Sequence, residues 1–304
     1  MTLQQLRYAV CVARKGSINE AAKSLFISQP SLSSAIRELE RELGVTIFLR
    51  TNKGIEVSAE GEVFLGYARQ LVEQAELIES RYLTDRAPAQ RFSVSTQHYA
   101  FAVNAFVDLI RTEGADQYDF TLRETRTHEI LEDVRTLRSE IGVLYLSDFN
   151  AKVLTKLFQQ YKLAFTPLFT AQPHIFVSDA NPLAARARVS LEDLEPYPCL
   201  SFEQGEYNSF HFSEEILSTR FHRRNIRVSD RATLFNLLIG LNGYTISTGV
   251  INADLNGSAI VAVPLELPEP EAMHVGVITH AHARLSPLGE RYLAALRRYA
   301  IQSI

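Results

Sequence analysis

Two amphipathic stripes near the N-terminus, Ile18-Ala21-Ala22-Leu25 and Leu32-Ile36-Leu39-Leu43, stand six residues apart, and this spacing constrains the chain more than any other feature. Each stripe repeats at three- and four-residue intervals, the period of one helix face. Ser28 is placed to cap the second helix, and Pro30 is tolerated in its first turn, where no intrahelical N–H is needed. The turn at Phe26-Ile27 follows at once, a spacing that suits a helix-turn-helix, the alternative being an ordinary three-helix core with one polar face. Ser17 and Glu20 form a capping box for the first of the pair. A preceding helix, with Leu3, Leu6, Val10 and Ala13 on one face and Gly16 as its stop, completes a small all-helical core.

The second of the paired helices, residues 29–43, keeps one face free of apolar side chains. Pro30, Ser34, Arg37 and Arg41 lie there, flanked by Ser31 and Ser33, with Gln29 at the N-terminal tip. Short hydroxyl side chains permit close approach to base edges, a Gln amide can pair with adenine, and Arg holds phosphate or guanine. Ile47-Phe48-Leu49-Arg50 and Ile55-Glu56-Val57, joined by the turn-forming Asn52-Lys53-Gly54, read as two short strands of a wing that presents Arg50 and Lys53 to DNA. Charge agrees with this reading only when it is divided by segment. The whole chain is at −4, yet residues 1–55 carry eight Lys and Arg against four Glu, while residues 56–87 carry three basic and seven acidic side chains. A basic head on an acidic chain suits a polyanion met at one end.

Segment 16–50, GSINEAAKSLFISQPSLSSAIRELERELGVTIFLR, closely resembles the signature of the LysR-type transcriptional regulators, a "GS…AA..L..SQP.LS..I..LE..LG..LF.R" pattern that spans both helices and enters the wing. The resemblance implies a multidomain architecture: an all-α winged helix-turn-helix over residues 1–58, a dimerising linker helix over 59–87, and a two-lobed α/β effector domain like a periplasmic binding protein over 88–304. It also implies that Gln29, Pro30, Ser31, Ser33 and Ser34 face the major groove, with Arg37 and Arg50 nearer the phosphate backbone. Ser34 stands where the family often carries a basic residue.

Ser58 is placed to cap the linker helix, in which Phe64, Ala68, Leu71, Ala75, Ile78 and Tyr82 repeat at heptad spacing. A stripe this narrow on so long a helix is covered most simply by a partner helix, the alternative being its own head domain. The resemblance favours the partner. The expected assembly is a homo-oligomer, dimer or tetramer, whose paired heads read an inverted repeat in double-stranded promoter DNA.

Ala87-Pro88-Ala89-Gln90 breaks the helix, and strand-like and helical runs alternate beyond it. Strands are expected at 92–96, 120–123, 141–146, 163–171, 174–178, 198–202, 226–229, 244–248, 259–265 and 275–279. Helices are expected at 99–111, 128–138, 206–221 and 230–241, and at the end behind Ser286-Pro287. Such alternation predicts a parallel sheet. By element order the layout resembles the LysR effector domain, with one lobe from 91–164 and 267–304 and the other from 165–266. Ligands of open α/β sheets bind beyond the carboxyl ends of the strands, so the effector pocket belongs between the lobes. The loops there offer Thr96, Gln97, His98, Arg126, Thr127, His128, Phe202, Glu203, Gln204, Ser229, Arg231 and Thr248, with Glu124, Thr125 and Asp230 beside them. Their hydroxyl, amide, imidazole and guanidinium groups near helix starts suit a small-molecule effector such as a small anion. Several can equally serve as caps, as Ser229 and Asp230 would for the helix that follows them.

Other functional classes find less in the chain. Catalysis would announce itself by a GxSxG elbow, a P-loop, a GxGxxG turn or zinc-hydrolase spacing, and none occurs, so a non-enzyme is expected. Cys11 and Cys199 are the only cysteines, far apart and without CxxC spacing, which leaves a peroxide-type disulfide switch in the sensor without its second thiol. His280 and His282 share a strand face with no third ligand evident, so no metal and no cofactor is expected. With no apolar run of membrane-spanning length and no secretory leader, a cytoplasmic protein without a membrane partner is expected. The rival within the DNA-binding class is a protein that needs no effector.

Overall fold

The computed structural model describes residues 1–51, 54–83, 90–113, 117–251 and 257–301. The chain divides into two compact units, Met1–Gln90 and Arg91–Ile304.

The first unit follows its local signals closely. Helices α1 (Leu3–Lys15), α2 (Ile18–Ser24) and α3 (Gln29–Leu43) are capped by Thr2, Ser17 and Ser28, each accepting a backbone N–H with its hydroxyl. Gly16 and Gly44 close α1 and α3 in the left-handed conformation that suits a glycine just past a helix. At Ser17 the N-cap bond is present, donated by the Glu20 N–H, while the Glu20 carboxylate pairs with Lys23. Ala9, Val12, Ala21, Leu32, Ile36, Leu39 and Ile47 form the core, where each fully buried large aliphatic side chain stabilises the fold by about 1.5–3 kcal/mol. Strands β1 (Phe48–Thr51) and β2 (Gly54–Val57) pair antiparallel as the wing, with Phe48 opposite Val57.

Helix α4 (Ala59–Leu83) follows, its first turn capped by the Ser58 hydroxyl, which accepts the Gly61 N–H at 2.8 Å. Its course corrects the expected seam. Phe64, Ala68 and Val72 pack on Leu3, Leu6 and Val10 of α1, so the head covers the start of the heptad stripe itself. Leu71 and Ile78 remain 50% and 61% exposed, together with Val63. The Tyr82 side chain, and the expected break at 87–89, lie outside the described residues.

In the second unit two five-stranded sheets share a buried apolar cluster. The first sheet takes β3 (Gln90–Thr96), β4 (Tyr118–Glu124), β5 (Ile141–Leu146), β6 (Leu163–Ala171) and β12 (Met273–His280), in the order β4-β3-β5-β12-β6. The second takes β7 (His174–Ser178), β8 (Cys199–Phe202), β9 (Asn225–Val228), β10 (Tyr244–Ser247) and β11 (Ile260–Pro264), in the order β11-β7-β10-β8-β9. Val94, Val143 and Val275 from the first sheet and Ile175, Val177 and Ile246 from the second belong to the same buried cluster. Around them lie α5 (Ala100–Glu113), α6 (Thr127–Arg135), α7 (Ala151–Gln160), α8 (Arg231–Leu241) and α9 (Pro287–Ile301).

Four expectations are corrected here. Both sheets are mixed: β3 runs parallel to β5, but β12 is antiparallel to β5 and β6, and β7 is antiparallel to β10 and β11. Strand β6 pairs with β12 from Leu163 to Ala171, so the chain crosses to the second sheet at residues 172–173 and not at 164. Helix α7 went unpredicted, although Leu154 and Phe158 form its buried face. Finally, no long helix occupies 206–221; that stretch holds turns and a short 3-10 segment, Phe210–Phe212, whose loop path carries polar side chains inward.

Candidate functional site

On α3 the buried stripe of Leu32, Ile36 and Leu39 turns the opposite face outward, and Gln29, Pro30, Ser31, Ser34 and Arg37 are exposed on it. Ser33 is the exception among the expected groove residues. It is buried at 5% exposure and its hydroxyl accepts a hydrogen bond from Gln29 Nε2 at 2.9 Å. One residue past Leu32 and three before Ile36, it belongs to the core edge of the helix, where it holds the Gln29 side chain in place. Sequence reasoning counted Glu40 only as a charge. Its carboxylate accepts the backbone N–H groups of Ile47 at 2.7 Å and Phe48 at 3.0 Å, tying the wing to α3. Arg50 lies on β1 with its side chain outside the described residues, as Lys53 is altogether.

In the second unit, loops from the two sheets meet and are bonded to each other. Gln97, just past β3, donates from Nε2 to the Thr127 hydroxyl at 2.7 Å and accepts the Tyr145 N–H at 3.1 Å. Gln204, just past β8, accepts the Thr127 N–H at 3.1 Å and donates to Glu214 at 3.3 Å. These three expected residues therefore form a buried polar bridge between the lobes. At its rim Arg126 pairs with Glu203 and with Glu129. Gly205 leaves the space that the Arg126 guanidinium occupies, since a Cβ there would stand 2.7 Å from Nη1. Arg231, at the start of α8, meets Glu124 at the end of β4 at 2.9 Å.

Glu214 also lines a small cavity of about 20 Å³ between the lobes, with His98, Tyr99 and Ala100 on one side and Phe176, Phe202, Glu215, Arg231, Phe235 and Thr245 among those on the other. His98 stacks on Phe202, with centroids 3.9 Å apart, and its Nδ1 lies 2.9 Å from Glu214. Burial works against a charged His98, but the Glu214 carboxylate outweighs it and raises the imidazole above its ordinary value. Burial, reinforced by the neighbouring Glu214, pushes the Glu215 carboxyl up to about 8.

Of the other expected residues, His128 stacks on Tyr207 and lines a broader groove of about 790 Å³ with Arg123, Glu132 and Arg138. Thr96 is buried, its hydroxyl donating to the Gln97 carbonyl. Thr248 is buried in a turn, where its hydroxyl accepts the Val250 N–H. Ser229 is exposed, and Asp230 caps α8 through the Thr233 N–H at 2.8 Å. The inner cavity thus gathers His98, Phe202 and Arg231 from the expected set and adds Tyr99, Glu214, Glu215 and Thr245, which sequence reasoning missed. The pattern Phe212-Ser-Glu-Glu-Ile216, two acids between buried apolar neighbours, was the available signal. Cys199 is buried and its thiol is pushed up to about 12, so it remains a protonated side chain of the core.

Comparison with known proteins agrees with this layout. Residues 3–62 match the profile described as "Bacterial regulatory helix-turn-helix protein, lysR family", and residues 112–300 match the LysR substrate binding domain. The regulator ClcR of Pseudomonas putida is 44% identical over 81 residues, a match covering 27% of this chain and 28% of ClcR. TfdT of Cupriavidus pinatubonensis is likewise matched over only 32% of its length. The Escherichia coli regulator YbhD, itself uncharacterised, is 24% identical over 97% of this chain and 90% of its own. Among solved structures, full-length OxyR from Pseudomonas aeruginosa superposes with a TM-score of 0.62 at 23% identity, covering 98% of both chains. CbnR in complex with its target DNA gives 0.56 at 20% identity over 99% of this chain and 100% of that one. With a LysR-family DNA-binding profile at the head and the family's substrate-binding profile over most of the remainder, this chain belongs to the LysR family of bacterial transcriptional regulators.

Proposed function

We propose that the protein binds promoter DNA as a homo-oligomer, through α3 and the wing, and that a small molecule held between the lobes of the second unit modulates that binding. The observation that carries the effector half is the cavity lined by residues of both lobes, because a ligand there touches two bodies whose relative angle it can change. The DNA half is supported by the exposed Gln29, Pro30, Ser31, Ser34 and Arg37 on one helix face, and by the DNA complex of the related CbnR. Arg50 and Lys53 are assigned to the phosphate backbone and Gln29 to a base. Leu71 and Ile78 of α4 are assigned to contact with a second copy, in a dimer or a tetramer. The protein acts in the cytoplasm as a regulator and turns over no substrate.

The test is selection of bound fragments from the host genome by the purified chain, followed by footprinting of the best one with and without an extract of host metabolites. Protection of an inverted repeat that shifts with the extract is the expected result. Failure to enrich any fragment at low salt would overturn the DNA reading, and a footprint indifferent to the extract would leave an effector-independent DNA-binding protein.

A further inference from the structure

The cavity between the lobes is walled by two consecutive carboxylates that are almost fully inside the protein, Glu214 at 5% and Glu215 at 8% exposure. Glu214 is engaged on several sides, by the His98 N–H and imidazole at 2.9 Å and by Gln204 Nε2 at 3.3 Å. Glu215 accepts the Phe202 N–H at 2.9 Å and, among the described residues, forms no ion pair. A second and independent observation lies in the same walls. Tyr99 and Thr245 both line the cavity, both are more than nine-tenths buried, and neither hydroxyl has a hydrogen-bond partner among the described residues. Buried hydroxyls left unpaired are costly, and a pair of them in one cavity marks a place where a polar group is received.

We propose that this cavity takes the protonated primary amine of a small effector, with Glu215 as its countercharge and the Tyr99 and Thr245 hydroxyl oxygens accepting its remaining N–H groups. The proposal rests on reading the interlobe cavity as the effector site. The volume of about 20 Å³ has room for one water-sized group, which is the size of an ammonium head. A carboxylate is larger, and it would stand beside the Glu214 carboxylate. Phe176 and Phe235 line the cavity too, and aromatic faces tolerate a cation beside them.

Electrostatics gives the exchange its form. Glu215 is faced by Glu214 and Tyr99, by Tyr145 from β5, by Cys199 from β8, by the imidazole of His98, and across the cavity by Arg231, which is paired with Glu124. Burial and Glu214 hold Glu215 protonated up to about pH 8. An ammonium ion that enters takes the place of that proton, which leaves to solvent, so amine binding strengthens as pH rises towards 8. Loss of the His98 charge, where it occurs, acts in the same direction.

The experiment uses the full chain and a set of small probes, ethylammonium and 1,4-diaminobutane against propionate and succinate, titrated by calorimetry at pH 6 and pH 8. The amines are expected to bind, about tenfold or more tightly at pH 8 than at pH 6, with proton release seen as a dependence of the heat on buffer ionisation. Glu215→Gln keeps an oxygen for the Phe202 N–H and is expected to abolish both the binding and the proton release. Thr245→Val, which removes one hydroxyl at constant shape, is expected to weaken it about tenfold. Amine binding that survives Glu215→Gln places the amine elsewhere and overturns the proposal. Binding of the carboxylates with the amines inert overturns the charge class and leaves the effector reading intact. If both probe classes are silent, the amine proposal falls. A footprint that still shifts with metabolite extract then keeps the effector reading, and an unmoved footprint removes that reading as well.

Discussion

Glu215 is held as a neutral acid by its surroundings, and this makes the protein's stability a function of pH. Its carboxyl rises from an ordinary 4.5 to about 8 on folding, so between those values the folded chain binds a proton that the unfolded chain has released. Stability therefore falls as pH climbs from about 4.5 to about 8. His98 adds to the same trend. Its imidazole lies above the ordinary 6.5, so its contribution is complete below that value and is lost as pH rises through the folded one. Glu215→Gln removes the larger of the two dependences. Thermal unfolding of the variant is expected to match the parent near pH 5 and to exceed it at pH 8 by on the order of 2–4 kcal/mol. A parallel decline in both proteins would show that Glu215 is solvated. On α3 the residue to test is Gln29. Gln29→Ala is expected to weaken binding to the selected site by about 1–3 kcal/mol and to relax base choice at one position, read by competition between site variants. Unchanged discrimination would assign the amide to Ser33 alone.

Helix α4 divides its apolar residues between two duties, and a prediction follows for each. Phe64, Ala68 and Val72 serve the head, so Val72→Ala is expected to lower head stability by about 0.5–1.5 kcal/mol without changing assembly. Leu71 and Ile78 are exposed, so Leu71→Asp with Ile78→Asp is expected to leave the fold intact and convert the oligomer to monomers in sedimentation velocity. An unchanged sedimentation coefficient would place the interface elsewhere. The same helix shows what was legible in the sequence. Its existence, its Ser58 cap and its apolar period are local and were readable, as were α1 to α3, whose caps and C-terminal glycines act within a turn. Which heptad positions face the head was not, because that depends on where α1 lies. The loop around 206–221 failed for a similar reason. Tyr207, Phe210, Leu217 and Phe221 fall at helical spacing, but Glu214 and Glu215 accept the backbone N–H groups of His98, just past β3, and Phe202, on β8, and those long-range bonds decide the path. The candidate site was legible where loops follow strands, at His98, Phe202 and Arg231, and illegible where tertiary bonds bring in Glu214, Glu215, Tyr99 and Thr245.

For a regulator of this design the whole molecule must have two arrangements of its lobes, and a ligand shifts their balance only by the difference in its affinity for the two. The contacts between the lobes set that balance, and they are of unequal weight. The Arg126–Glu203 pair sits at the rim with side chains 35% and 39% exposed, where screening leaves an ion pair about 0–1 kcal/mol. Gln204 is buried and satisfies the Thr127 N–H from the opposite lobe, so Gln204→Ala strands a buried donor at a cost of about 1–3 kcal/mol. Arg126→Ala is thus expected to leave the unfolding temperature nearly unchanged, and Gln204→Ala to lower it by several degrees. The footprint supplies the second readout. If the bridged arrangement seen here is the one that effector favours, Gln204→Ala should need more effector for the same change in footprint. Its DNA complex without effector should then resemble that of the unliganded parent. A Gln204→Ala protein that is destabilised but responds at the parent's effector concentration would show that the bridge holds the fold and takes no part in switching.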